Sequence, residues 1–408
     1  MLALDYDRFV GSMEEQAAIG ATESGGLDRL ALSDADRKVR DWFREQMEDV
    51  ELDVRVDEFG NMFGQREGTD SNAAPVLLGS HLDSQPNGGI YDGPLGVLAA
   101  LEVVRTLNEQ EAETAHPIEI VNWTNEEGSR FQPAMQGSGV WAGAHDLSTE
   151  YTKTDRAGET LEAELERIGY RGDAPAEPRE EYEAYLELHI EQGPSLENAG
   201  VDVGVVTGIV GFTWGELTFT GEPDHSGPTP MNHRKDALVA AADLITQIRR
   251  IPGTLGERTV GTVGSIDTAP NSINIIPGEV TMTWGFRDPD DGIVQRAYEA
   301  VVLEAEYAAE REGVSLDYEE TMRAHSVEFA DRCVDAVQSG VDELGYEGER
   351  LISGAGHDAT HLASVTDTSM VFAVSEGGKS HSPAEYTSWE DCYAAANTLF
   401  RAALKLAD

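Results

Sequence analysis

Apolar residues along the chain recur with two different periods. Short, mostly apolar runs at 75–78, 118–123 (IEIVNW), 184–190 (AYLELHI) and 370–374 read as strands. Amphipathic stretches at 35–47, 94–107, 236–250, 295–310, 329–344 and 389–406 read as helices. The first is opened by Ser33 and Asp34 as a cap, and the second has Pro94 in its first turn. Further strands are expected at 50–56, 217–221, 259–266 and 279–286. One short helix is expected at 160–168, inside an acidic, solvated stretch from 155 to 182. The alternation predicts an α/β layered domain. Around Gly208 the texture changes to two rounds of strand and helix, expected to form a smaller α+β sheet inserted into the larger domain. The expected boundaries are 1–207 with 325–408 for the larger domain and 208–324 for the smaller.

A length of 408 residues also fits two domains better than one. The charge changes the picture more. There are 76 acidic residues against 29 basic ones, a net charge of -47, and the acids are spread along the whole chain. Such a surface repels itself in dilute buffer, and at molar salt a Debye length of about 3 Å screens it. This composition reads as adaptation to a very salty cytoplasm. It argues against nucleic-acid and anionic-membrane partners. Cys333 and Cys392 show no metal-type spacing and are expected to be small buried residues in helices. The first ten residues, MLALDYDRFV, do not read as a secretory signal, and no stretch reaches the length of a membrane span, so a cytoplasmic protein is expected.

Chemistry gathers where strands end. GSHLDSQPNGGIYDG, 79–93, offers His81 and Asp92 as candidate ligands for a divalent ion. Gly88, Gly89 and Gly93 let the loop fold tightly, and Asp83 lies near enough to fix the His81 ring from behind. A polar loop with an incidental histidine accounts for the same residues. WTNEEGSRF, 123–131, brings Glu126 and Glu127 to the end of another strand. One can hold an ion while the other takes a proton from water; two surface glutamates in a very acidic chain explain them as well. LELHIEQGP contributes His189, and GGKSHSPAEYT contributes His381. A single histidine is more often structural than a ligand. Together, His81, Asp92, Glu127, His189 and His381 supply enough donors for two ions sharing one carboxylate.

With these stretches on the page, the chain resembles the amidase, hydantoinase/carbamoylase group of the M20 metallopeptidase family. That group includes N-carbamoyl-L-amino-acid hydrolases, allantoate amidohydrolases and zinc-type β-ureidopropionases. The matching stretches are GSHLDSQPNGGIYDGPLGVLAALE, NEEGSRFQPAMQGSGVWAG, LELHIEQGP, GEPDHSGPTPMNHRKDAL, NSINIIPGEV, FRDPD, SGAGHDA and SHSPAEYT. The resemblance implies a mixed-sheet catalytic domain with two divalent ions, zinc, manganese and cobalt all being suited. It places His81 and His189 on one ion, Glu127 and His381 on the other, and Asp92 between them. Glu126 would be general base and then acid. Histidine at 189, where peptidase relatives carry a carboxylate, points to the carbamoylase group. Gln192 is expected near the substrate. His225 would steady the oxyanion, and Asn274 and Arg287 would bind the substrate carboxylate. Gly356, His357 and Asp358 would line the site. The inserted domain would act as lid and as homodimer contact, contributing residues across the interface.

The chain departs from the resembling pattern at Gly211-Phe212-Thr213-Trp214, where many relatives read GQRW, and Gly215 and Glu216 are also unusual. These changes bear on specificity more than on catalysis. The expected activity is hydrolysis of an N-carbamoyl-L-amino acid to amino acid, carbon dioxide and ammonia. Allantoate hydrolysis is the alternative, followed by a dipeptidase or N-acyl amino-acid deacylase, and by a metal-binding protein without activity.

Overall fold

The strands Val76–His81, Ile118–Trp123, Ala184–Ile190 and Thr368–Ala373 are buried at every position, as apolar runs inside a covered sheet must be. The computed structural model describes all residues except 1, 71 and 180. In it these four strands lie side by side and parallel, in the order Ile118–Trp123, Val76–His81, Ala184–Ile190, Thr368–Ala373. Antiparallel strands extend both sides and make the sheet mixed. Met62–Arg66 and then Asp53–Val56 follow at one side, and Val203–Ile209 at the other. The helix Pro94–Glu109 is buried from Pro94 through Leu107, which marks it as an inner element.

Parallel strands all end on the same side. His81 pairs with Trp123 and His189 with Phe372, so the loops that follow these strands emerge along one edge of the sheet. In open α/β sheets this carboxyl edge is where ligands bind.

The chain divides into two compact units, Met1–Gly208 with Glu328–Asp408, and Ile209–Val327. The second unit has its own antiparallel sheet, in the order Ser315–Ala324, Gly211–Thr220, Glu279–Asp288, Val260–Thr262, with Ile266–Ala269 also on Glu279–Asp288. Leu217, Phe219, Val280, Met282, Trp284 and Phe286 form its core with alanines and leucines of the helices Ala237–Arg250 and Asp291–Glu312.

Local expectations hold where capping chemistry specifies them. The Ser33 hydroxyl accepts the Asp36 N–H at 3.2 Å and opens the helix Asp34–Glu48. Thr160 does the same for Leu161–Ile168 through Ala163. The strand expected at 50–56 begins only at Asp53, because Glu51 takes a left-handed backbone at φ 61° and closes a turn. The strand expected at 259–266 is instead two, Val260–Thr262 and Ile266–Ala269. Between them Ser265 bonds Thr283 through both main chain and side chain, interrupting the ladder. Met62–Arg66, Val203–Ile209, Ser315–Ala324 and Gly348–Ser353 are strands the pattern does not announce. Cys333 and Cys392 are buried free thiols on helices. Among the described residues no helix is long and apolar enough to cross a membrane.

Candidate metal centre

Asp92 is the hub of the carboxyl edge. Its Oδ1 lies 3.5 Å from His81 Nε2 and 3.1 Å from His189 Nε2. Its Oδ2 lies 3.5 Å from His381 Nε2, and Glu127 Oε2 stands 3.4 Å from that same nitrogen. His81, Asp92 and His189 form one group able to hold a cation, and Asp92, Glu127 and His381 form another; within each, the ligand atoms lie within 4.8 Å of one another. His381 is half exposed, and the other four donors are largely or fully buried.

The ring orientations have a local cause. His81 Nδ1 lies 3.0 Å from the Asp83 carbonyl, and His189 Nδ1 lies 3.0 Å from the Ile190 carbonyl. A carbonyl only accepts, so each Nδ1 carries the proton and each Nε2 turns a lone pair toward Asp92. His81 Nε2 is fully buried and has no hydrogen-bond partner among the described residues. In the neutral rings these acceptors face the acceptors of Asp92 in a dry site and repel unless a cation, whether a proton or a metal ion, lies between them. The donor set is mixed nitrogen and oxygen, which suits zinc, manganese or cobalt; the residues fit a pair of divalent ions.

Electrostatics points the same way. Burial opposes charge on His81, yet Glu126, Asp92, Asp83 and Glu127 hold its imidazolium well above the usual histidine range. Burial, with Asp92 beside it, pushes the Glu127 carboxyl well up. Burial raises Asp92 too, but His189 and His81 overcome it and keep its carboxyl well below the ordinary range. The cluster draws in positive charge and keeps a fixed anion at its centre.

Glu126 belongs to neither donor group, though its Oε2 comes within 3.5 Å of His81 Nε2. Its N–H and that of Glu127 donate to the Asp83 carboxylate at 3.2 and 3.3 Å. Asp83 therefore holds the His81 ring through its main-chain carbonyl and the two glutamates through its side chain. Burial pushes the Glu126 carboxyl well above the normal range, with Asp358, Glu127 and Asp92 adding to it and His81 opposing. Once ionised, such a carboxylate is a strong base beside the cation site.

Three supporting residues escape sequence reasoning although they lie in the quoted stretches. Gln85 donates its N–H to Glu127 Oε1 at 3.0 Å and its side-chain amide to Oε2 at 2.7 Å. Glu385 is 6 % exposed and accepts the N–H groups of Tyr91 and Asp92, each at 3.1 Å. Ser380 donates to Asp92 Oδ2 at 2.8 Å and lies 3.1 Å from Glu385 Oε2. The glycines explain how so many groups fit. A Cβ on Gly89 would lie 1.9 Å from Glu385 Oε1. Gly93 has φ 83°, and a Cβ there would meet the His81 ring at 2.4 Å.

Gln192 donates to Asp92 Oδ2 at 2.7 Å and to Ser380 Oγ at 3.1 Å. Gln192, Asn125 and His381 all hold left-handed backbone, at φ 57°, 56° and 55°, a cost that clusters at functional sites. The His357 ring meets His189 edge-on at 4.4 Å, and its Nε2 lies 2.9 Å from Ser353 Oγ. Asp358 is wholly buried and accepts the Ser138 hydroxyl at 2.5 Å. Gly356 sits beside Met135.

The remaining candidates lie in the second unit. The Gly227 N–H donates to His225 Nδ1 at 3.0 Å, so the neutral ring carries its proton on Nε2, the form that can donate to an oxyanion. The Asn274 carbonyl accepts the Ser226 N–H at 3.0 Å, and Ile275 bridges to His225, which brings these two loops together. Arg287 lies on the sheet with its guanidinium over Phe212 and Trp214.

Comparison with known proteins places these features in a family. The model for peptidase family M20/M25/M40 matches residues 77–405. An N-carbamoyl-L-amino-acid amidohydrolase of Rhizobium meliloti is 42 % identical over 405 residues, covering 99 % of this chain and 97 % of that protein. An allantoate amidohydrolase of Bacillus subtilis is 34 % identical over 377 residues, covering 92 % of each. The crystal structure of an amidase of the hydantoinase/carbamoylase family from Burkholderia multivorans superimposes with a TM-score of 0.93 at 44 % identity, over 100 % of this chain and 98 % of that one. The chain belongs to peptidase family M20/M25/M40, among its hydantoinase/carbamoylase amidases.

Proposed function

We propose that this protein hydrolyses the carbamoyl C–N bond of N-carbamoyl-L-amino acids in the cytoplasm. One observation carries the reading: Asp92 turns each carboxylate oxygen to a different donor group, while Glu126 stands beside them in neither. His81 and His189 would hold one divalent ion, Glu127 and His381 the other, and Asp92 both, with zinc the first expectation and manganese or cobalt the alternatives. Such ions, when bound, supply Lewis acidity that polarises the carbonyl and makes water easier to deprotonate.

Glu126 takes the proton of the attacking water as its oxygen bonds to the carbamoyl carbon. His225 donates from Nε2 to the carbonyl oxygen as charge grows there. The bond to the amino-acid nitrogen then breaks, and Glu126 returns its proton to that nitrogen. The carbamic acid left behind breaks its remaining C–N bond to give carbon dioxide and ammonia, so one water is consumed in all and the third product is the amino acid. Gln192 keeps Asp92 oriented and faces the substrate. Arg287 and Asn274 hold the substrate carboxylate. Gly356, His357 and Asp358 support the wall behind His189. The unit Ile209–Val327 acts as lid and as the contact of a homodimer, and closure excludes bulk water. Allantoate is the second reading, favoured by the 34 % identity to the Bacillus subtilis allantoate amidohydrolase.

The test is ammonia release at high salt from N-carbamoyl amino acids, allantoate and N-acetyl amino acids, with each ion in turn. Glu126→Gln should cut kcat by about 10²–10⁴-fold with bound metal unchanged by elemental analysis. Release of acetate without ammonia from any ureido acid would overturn the substrate class. Unchanged turnover in the variant would overturn the base.

A further inference from the structure

Among the described residues two arginines, Arg29 and Arg40, are wholly buried. Arg40 is matched by Asp36, whose Oδ2 accepts from its Nε at 2.8 Å. Arg29 is held differently, since its guanidinium donates to neutral oxygens. Nη1 reaches the Gln16 and Ile19 carbonyls, each at 3.1 Å, and Nη2 reaches Gln16 Oε1 at 2.8 Å. Nε donates to the Leu82 carbonyl at 2.6 Å. Burying a cation away from a carboxylate is costly. Part of the cost is offset at the end of the helix Tyr6–Ala17, whose last turn holds no basic residue and whose negative pole meets the guanidinium. Burial pulls the Arg29 pKa down to about 10, with Asp36 and Asp83 opposing, so the group is charged at neutral pH.

What Arg29 meets is the loop that carries His81 and Asp92. Leu82 stands between His81 and Asp83, and the Asp83 carbonyl sets the His81 ring. Peptide groups are planar, and Arg29 holds both planes that flank Asp83. Its side chain holds the first through the Leu82 carbonyl. Its main-chain carbonyl holds the second by accepting the Ser84 N–H at 2.9 Å. The Asp83 carbonyl lies in that second plane. The Arg29 N–H also donates to Ser84 Oγ at 3.0 Å. Further along the loop, Leu27 and Gly88 exchange main-chain bonds at 2.9 and 2.8 Å, and the Gln16 amide donates to the Ile90 carbonyl at 3.0 Å. Gly26 permits this close approach, because a Cβ there would stand 2.4 Å from the Gly88 carbonyl oxygen.

We propose that Arg29, seated by Gln16, is a positioning residue of the metal centre: by pinning both peptide planes beside Asp83 it aims the Asp83 carbonyl at His81 and the Asp83 carboxylate at the N–H groups of Glu126 and Glu127. The consequence is tight binding of a divalent ion by His81, Asp92 and His189. The inference rests on the donor groups holding ions and is independent of which C–N bond is cut.

The test uses the intact protein in molar potassium chloride, stripped of metal and titrated with cobalt(II). Arg29→Lys keeps the charge and loses the planar fork of donors. It should weaken cobalt binding by about 10–100-fold in calorimetry. The Nδ1 protons of histidines ligating cobalt(II) give far-shifted, exchangeable NMR signals, assigned here by their loss in His81→Ala and in His189→Ala. In Arg29→Lys the His81 signal should shift and exchange faster with solvent. The His189 signal, whose acceptor is the Ile190 carbonyl, should stay in place. General loosening of the fold would disturb both signals alike. Where Arg29→Lys does not fold, Gln16→Met stands in for it; this removes one acceptor that seats the guanidinium and should give the same change in smaller measure. Unchanged affinity with an unchanged His81 signal overturns the inference and leaves the metal reading standing, and so does equal disturbance of both histidine signals. Failure of the unaltered protein to bind cobalt overturns the metal reading, and the inference with it.

Discussion

Glu126 and Glu127 are neighbours in the chain with the same side chain, yet they differ in surroundings. Gln85 grips Glu127 with two donors, whereas Glu126 meets the His81 imidazole and the charge of Asp358. Removing the grip should loosen the donor: Gln85→Ala is expected to weaken divalent-ion binding by about 10–100-fold, read by calorimetric titration of the metal-free protein. A different residue governs acid stability. Burial, with His145 alongside, pushes the His361 imidazole down to about 4. Its folded-state value is below the ordinary 6.5, so the fold resists its protonation. The associated stability is complete above pH 6.5 and is lost as pH falls from there toward 4. The loss is about 3 kcal/mol at most. His361→Gln should flatten that part of the stability curve in denaturant unfolding at stepped pH. An unaltered pH dependence in the variant would count against this assignment.

Strands and loops decide where those side chains go. The parallel runs at the sheet centre were legible because both faces are covered and most of their residues are apolar, as in Val76–His81 and Ala184–Ile190, with the polar exceptions Ser80, His81, Glu187 and His189 also buried. Ser315–Ala324 was not legible. It is an edge strand, mostly exposed, whose polar residues leave no periodic signal. The loop between Gly88 and Gly93 shows what local pattern omits. Its glycines were visible, but the group they make room for, Glu385, lies nearly three hundred residues further on. Glu385 fastens that loop by two main-chain bonds and carries Ser380 against Asp92. Burial, with Asp92 nearby, pushes its carboxyl up to about 7. Gly89→Ala would drive a methyl into this carboxyl and should reduce metal occupancy and melting temperature together. Glu385→Ala should lower ion affinity by about tenfold or more. Ion affinity equal to the unaltered protein in both variants would show that the loop holds Asp92 unaided.

The net charge of -47 acts over the entire surface. Most of the acids have no cation of their own, since 29 basic residues serve 76 acidic ones. Lowering salt from molar to millimolar concentration lengthens the Debye length from about 3 Å to beyond 10 Å. Thermal stability should therefore rise steeply with potassium chloride, and scanning calorimetry across a salt series measures it. A flat series would remove the case for a salt-adapted surface. Composition dictated this charge, and apolar runs dictated the covered strands, because both depend on residues near one another or on simple sums. The candidate ligands His81, Asp92, Glu127, His189 and His381 could likewise be named from strand-end motifs. Which Asp92 oxygen faces which imidazole, the clasp of Glu385 on the 88–93 loop, and the close approach of the Trp214 ring to Gly285 were set by folding. They join residues far apart in the chain through strand register and close packing, and neither leaves a mark on the local pattern of apolar and polar positions.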